Sequence, residues 1–226
     1  MFRAIAILFP LFLFSTVLAS ECPSLYRVQA VLASSGYPFI VKGVEPVNGT
    51  SLCRVFTVSG EELLVTSNLR FVVEGKLKPL KPLRLSEREL EILRSEILFS
   101  VGKGPELLLL TNPLCSACRS HRALLDELAA RFRVEFVPVG FEGREFEAAV
   151  SAYCLGLKPS QFFRFNGPFK VCNLGKLKVW SVQAVLKRHG LFGTPVAVDS
   201  AGRVYVGADE IAGLVKGRAS LPSQSP

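Results

Sequence analysis

The sequence lacks an apolar run long enough to span a bilayer. Its longest, from Ala4 to Phe14, falls short of the ~20 residues a span needs and is interrupted by Pro10. It also lacks a basic run interleaved with aromatics. The 27 Lys and Arg residues are spread along the chain, so the formal charge of +8 reads as a solvated surface and no nucleic-acid partner is expected. Finally, it lacks a second Cys or His pair at the spacing of a structural zinc site. There are two histidines in all, and neither Cys154 nor Cys172 has a close Cys or His neighbour.

What is present begins with a leader. Met1-Phe2-Arg3, a short apolar stretch and the small-residue end Ala19-Ser20 together read as a secretory signal peptide over residues 1–20. Cleavage there removes Arg3 and no acid, so the charge of +8 falls by one. The chain of 226 residues is 49% hydrophobic and 20% charged, enough to bury a core in one or two domains. Its 6 cysteines are Cys22, Cys53, Cys115, Cys118, Cys154 and Cys172. In an exported chain disulfides form and persist. One close pair and four well-spaced cysteines read as a working pair and two staples.

Along the chain, Leu25, Val28, Val31 and Leu32 have helical spacing, and Gly36-Tyr37-Pro38 breaks the helix. Residues 39–73 turn to short β-rich segments separated by Asn48-Gly49, Ser59-Gly60 and Ser67-Asn68, which predicts a small meander. Residues 76–84, with Pro79 and Pro82, read as linker. Ser86 and Glu89 match a capping box, and Leu90, Leu93 and Ile97 give the following helix an apolar face. From Gly104 the pattern alternates: a buried strand over 106–111, a helix over 115–132, a strand over 133–139 and helices over 142–155 and 177–189. A hairpin around Ser200-Ala201-Gly202 and a short last helix follow.

Cys115 and Cys118 fall where the strand over 106–111 hands over to a helix. Only a thiolate attacks a disulfide, and free N–H groups and the dipole at a helix start favour a negative sulfur. Arg119, His121 and Arg122 add positive charge nearby. Cys115 is therefore expected to be the exposed nucleophile, with a pKa in the ~3.5–7.5 range of such sites. Cys118, a turn further on, is expected to be more buried and to resolve the mixed disulfide. The rival reading is a metal site in which His121 joins the two thiols; no metal or other cofactor is the expectation. Gly193-Thr194-Pro195 opens a strand and is expected to form a cis-proline loop facing Cys115, where Thr194 offers backbone groups to an extended substrate.

The signal peptide, the β-rich N-terminal segment, the capped helix, Thr111-Asn112-Pro113-Leu114-Cys115-Ser116-Ala117-Cys118 and Gly193-Thr194-Pro195 together resemble the DsbC/DsbG family of bacterial periplasmic disulfide isomerases. The likeness covers nearly all of the mature chain, strongly around Cys115 and Pro195, and through length and strand pattern alone in residues 21–80. It implies a structural disulfide between Cys154 and Cys172. It further implies a V-shaped homodimer held by the N-terminal domains, a cleft for unfolded or misdisulfided proteins, and a membrane thiol reductase of the DsbD type that keeps the active pair reduced. Ser116-Ala117 departs from the family in lacking an aromatic between the cysteines. Cys22 and Cys53 are extra and read as a disulfide tying the first helix to a strand. Leu109 stands where thioredoxins place a buried acid, and Glu106, the nearest acid on that strand, is expected in solvent.

The fold expected is α+β. A β-rich dimerisation domain over 21–80 and a linker helix within 81–100 precede a thioredoxin-like catalytic domain over 101–218 with a helical insertion, then a disordered tail over 219–226. The function expected is a periplasmic disulfide isomerase or reductase. The alternatives are an oxidase of the same chemistry, a chaperone that works through an apolar cleft, and a copper carrier.

Overall fold

The computed structural model describes residues 21–74 and 76–216. The leader expected over 1–20 and the tail expected over 219–226 lie outside the described residues. The class is α+β, with two five-stranded sheets.

Helix α1 (Leu25–Ser34) starts where Ser24 accepts a hydrogen bond from the Arg27 N–H, and it buries Val28, Ala30, Val31 and Leu32. Five strands then form an antiparallel meander in chain order: β1 (Val41–Pro46), β2 (Leu52–Thr57), β3 (Glu62–Thr66), β4 (Phe71–Glu74) and β5 (Lys76–Pro79). In β2, Cys53, Val55 and Thr57 are buried alternately with more open residues, the period of a strand with one face on a core. Strand β5 replaces the first part of the linker expected over 76–84. Its Lys and Pro content carries no β signal, but β4 has an open edge, and Phe71 pairs with Pro79 at the far end of the new one. Proline is tolerated there because an edge strand has a side that donates to no neighbour.

Helix α2 (Glu87–Ser95) carries the expected capping box in full. The Ser86 N–H donates to the Glu89 carboxylate at 2.9 Å, and the Glu89 N–H donates to the Ser86 hydroxyl at 3.4 Å.

The second sheet contains β6 (Phe99–Val101), β7 (Glu106–Thr111), β8 (Arg133–Pro138), β9 (Val196–Asp199) and β10 (Val204–Val206), in the order β10-β9-β7-β8-β6. Only β7 and β8 are parallel. Helices α3 (Ser116–Ser120) and α4 (Arg122–Arg131) cross over between them. Helices α5 (Gly143–Leu155), α6 (Pro159–Phe162) and α7 (Asn173–Arg188) make the insertion before β9, and α8 (Gly207–Val215) follows β10. A parallel pair with a helical crossover, followed by a hairpin and a last helix, is the thioredoxin-like arrangement the sequence predicts. Strand β6 was not foreseen; its Phe99 ring stacks on Phe136 of β8 at 4.6 Å between centroids.

Central strand β7 is buried on both faces, as its unbroken leucine run requires. Leu107 and Leu109 point into a core with Leu128 of α4 and Ile211 of α8. Leu108 and Leu110 point the other way, into a core that also holds Val182 and Leu186 of α7. That second core is continuous with the N-terminal part. It includes Val28 and Leu32 of α1, Val55 of β2, and Leu90 and Leu93 of α2. Each such leucine, fully buried, contributes about 1.5–3 kcal/mol. Helix α2 thus packs along α7, and no span of solvated chain separates the meander from the second sheet. The junction is also polar. The Leu85 N–H donates to the Gly202 carbonyl at 2.8 Å, and Glu89 reaches His189 at 3.0 Å. Gly202 has φ +78°, and a Cβ there would lie 2.4 Å from the Leu85 oxygen, so both conformation and contact require glycine.

Candidate active site

Strand β7 ends at Thr111, and a turn through Asn112-Pro113-Leu114 leads to Cys115, the N-cap of α3. Cys115 and Cys118 are joined as a disulfide. The Cys115 Sγ accepts a hydrogen bond from the Cys118 N–H at 3.1 Å. A donor in that position stabilises negative charge on this sulfur once the bond opens. On the other sulfur, the buried Thr111 hydroxyl donates to Cys118 Sγ at 3.0 Å. Leu109 is buried on the strand behind, lining a small apolar recess with Cys118, Leu125, Pro195, Ala208 and Ile211. The polar group on Cys118 is therefore a hydroxyl from within the Thr111–Cys118 segment.

The turn is tied down from two sides. Asn112 is fully buried, and its amide donates to the carbonyls of Val139 (2.6 Å) and Glu145 (2.8 Å) while its oxygen accepts from Leu114 N–H (2.9 Å). Every polar atom of that side chain thus has a partner, which fixes the approach to Cys115. Arg119 donates to the Pro113 carbonyl at 2.9 Å and the Phe165 carbonyl at 2.7 Å, linking the turn to the insertion. Neither residue was singled out for this role in the sequence. Asn112 follows a strand and reads there as an ordinary turn former.

The helix expected over 115–132 is broken at His121, which ends α3 and precedes α4. The Ala117 carbonyl is the reason. It is approached by the Ser120 hydroxyl at 3.0 Å, the His121 ring at 2.8 Å and the His121 N–H at 3.3 Å, so local side-chain bonds compete with the regular ladder. The His121 ring is exposed and turned to that carbonyl. Among the described residues no group of three or more His, Cys, Asp or Glu side chains is placed to hold a metal ion.

The Thr194–Pro195 peptide is cis, and the Thr194 carbonyl oxygen lies 3.8 Å from Cys115 Sγ. The loop is anchored behind, where Gly207 N–H donates to the Pro195 carbonyl at 2.9 Å. The structure thus brings Cys115, Cys118, Thr194 and Pro195 together. It corrects the expected exposure. Cys115 is 6% exposed and Cys118 is 5% exposed, so both are buried to almost the same extent. The Thr194 loop faces the sulfur as expected, and it lies close enough to leave Cys115 buried. The rim around it is open and partly aromatic. Ser116 and Phe192 are exposed, and Tyr26 of α1 reaches to within 3.8 Å of where a side chain at Gly193 would begin. Tyr26 was not foreseen, since it reads as the outward face of a helix far away in the chain.

The other sequence-predicted residues lie elsewhere. Cys22 and Cys53 are bonded, joining the approach to α1 with β2, at 5.8 Å between Cα atoms. Cys154 and Cys172 are bonded, joining the end of α5 with the N-cap of α7, at 5.9 Å. Glu106 is not in solvent. It sits at the far end of β7 with its side chain 15% exposed, 2.9 Å from Arg94 and 3.6 Å from Arg133, and two cations compensate its desolvation.

No protein-family model matches this chain, and no curated protein matches it. Solved structures do show similarity. A periplasmic thioredoxin-like protein from Salmonella enterica serovar Typhimurium is 17% identical with a TM-score of 0.47, covering 60% of this chain and 98% of its own. The catalytic domain of Proteus mirabilis ScsC is 16% identical with a TM-score of 0.42, covering 58% and 94%. Helicobacter pylori DsbG is 13% identical with a TM-score of 0.36, covering 76% and 99%. At these levels the fold assignment stands on the strand order and connections themselves.

Proposed function

We propose that this chain is an exported thiol–disulfide oxidoreductase that works through Cys115, as an isomerase or reductase of misfolded periplasmic proteins. One observation carries the reading: a disulfide at the handover from a central strand to a helix, its first sulfur capped by the Cys118 N–H and faced by the carbonyl before a cis-proline.

In the reduced protein, the Cys115 thiolate attacks one sulfur of a substrate disulfide. A mixed disulfide forms and the other substrate sulfur leaves as a thiolate. Two exits follow. A substrate thiolate attacks the substrate sulfur and returns Cys115, which is isomerisation with no net electron flow. Alternatively, Cys118 attacks Cys115, releases the reduced substrate and leaves the pair oxidised, which is reduction by two electrons. The Thr194 carbonyl and the backbone around it receive the substrate as an extended segment next to the sulfur. A membrane thiol reductase of the DsbD type returns the pair to its reduced state. The two open edges of the N-terminal meander, β1 and β5, support a homodimer formed through that sheet, because unpaired edge strands are templates for pairing.

The test is insulin reduction and refolding of scrambled ribonuclease, comparing the native chain with Cys115→Ala. The variant is expected to fall to the uncatalysed rate in both. Equal activity of the two proteins removes Cys115 from the mechanism, and the mass in solution decides the dimer.

A further inference from the structure

The Cys154–Cys172 bond has surroundings unlike those of a plain staple. Five large apolar side chains near it are exposed: Leu155 (43%), Val171 (48%), Leu174 (64%), Leu177 (59%) and Trp180 (51%). Leu155 follows Cys154, Val171 precedes Cys172, and the other three lie on the first turns of α7. Exposed apolar residues gathered at one place mark interaction surfaces, whereas scattered ones do not.

The two sulfurs are not equivalent. Cys154 packs against Ala149, Val150 and Val179. The first turn of α7 presses on it so closely that a Cβ at Gly175 would lie 2.7 Å from Cys154 Sγ. Cys172 is not part of that apolar group. It is the N-cap of α7, the longest helix described, and its Sγ accepts the Gly175 N–H at 3.4 Å. The first turn of α7 holds no acid. This repeats the relation of Cys115 to the Cys118 N–H, at the head of a longer helix. Both Cys154 and Cys172 are only partly buried, whereas Cys115 and Cys118 are buried.

We propose that Cys154–Cys172 is a second exchange-competent disulfide, attacked at Cys172 by a protein dithiol that docks on the apolar side chains around it. The partner thiolate bonds to Cys172 Sγ, the bond to Cys154 breaks, and Cys154 leaves as a thiolate that takes a proton from solvent. The partner's second thiolate then attacks the partner sulfur of the mixed disulfide. Cys172 departs as a thiolate held by the Gly175 N–H. The partner is oxidised from dithiol to disulfide, and Cys154 and Cys172 receive its two electrons. A docked protein is the fitting occupant because a small thiol has no use for the exposed apolar side chains that flank the two cysteines and continue along α7, while a protein carrying its own cysteine pair supplies both a face and the second thiolate.

The experiment uses the full chain with Cys115→Ala and Cys118→Ala, so the outcome is independent of the exchange proposed for that pair. Reduced thioredoxin serves as the protein dithiol and dithiothreitol as the small one. Alkylation and mass spectrometry follow each remaining bond, with circular dichroism recorded in parallel. Thioredoxin is expected to open Cys154–Cys172 at least about tenfold faster than Cys22–Cys53 while the dichroism is unchanged. Replacing Leu174, Leu177 and Trp180 by serine is expected to slow the thioredoxin reaction by about fivefold or more and to leave the dithiothreitol rate unaltered. The proposal is overturned if Cys154–Cys172 opens no faster than Cys22–Cys53, if it opens only as the dichroism is lost, or if the serine variant slows both reductants alike.

Discussion

Cys22–Cys53 and Cys115–Cys118 are the same chemical bond in two different surroundings. Cys53 is fully buried in the middle of a strand, opposite Val65 on the neighbouring strand. Among the described residues its surroundings are the apolar core, which disfavours a charged sulfur. Cys115 caps a helix, receives a backbone N–H and faces a carbonyl, while Cys118 receives a hydroxyl. On the proposed function, the contrast is between an exchange site and a tie. Donors placed on the sulfur and an approach along the backbone suit exchange, whereas burial among aliphatic side chains suits a tie.

Three measurements sharpen or break this contrast. The largest effect is expected from Cys22→Ser with Cys53→Ser. Opening a tie across 31 residues should lower stability by roughly 2–4 kcal/mol in denaturant unfolding, with the alkylation profile of Cys115 against pH unchanged. A moved profile would mean that the N-terminal tie shapes the active sulfur. The next is Thr111→Val, which keeps the shape and removes the hydroxyl from Cys118. Reduced sulfur is a better acceptor than disulfide sulfur, so the hydroxyl favours the reduced pair. Its loss should make the potential more negative by on the order of 20 mV against glutathione. A shift in the positive direction sinks that assignment.

The smallest effect concerns the junction. Burial pushes the Glu89 carboxyl up, but hydrogen bonds from the Ser86 backbone and hydroxyl and from His189 outweigh it, and the net pKa lies below the ordinary 4.5. A carboxyl depressed in the folded state adds stability that is fully present above its unfolded value and is lost as pH falls through its folded value. Stability should therefore decline below about pH 4.5. Glu89→Gln should make that decline shallower in pH-dependent thermal melts; an unchanged slope assigns the acid limb to other carboxylates.

Much of this was legible in the sequence, and the pattern of misses is physical. The capping box at Ser86 and Glu89 is a local device spelled in four residues, and it forms as read. The meander turns and the strand–helix placement of Cys115 are local as well. What escaped depends on partners distant in the chain. Strand β5 exists because β4 offers an edge, and β6 because Phe136 offers a ring to Phe99. The break at His121 follows from three donors meeting on one carbonyl, whereas helix propensity over 115–132 registers only the sum. The loop at Thr194 was expected to face Cys115, but the extent to which the sulfur is buried there, and the reach of Tyr26 from the first helix, depend on chain far away in sequence.

Because Leu108 and Leu110 share their core with α1, the meander and α2, the thioredoxin-like half is not a portable cassette in this chain. A fragment begun at residue 101 would keep α7 on that face but expose the apolar side chains that α1, the meander and α2 cover in the whole chain. Recombination or domain grafting that respects this architecture has to carry the first helix along, and with it the tyrosine that reaches the loop before the cis-proline.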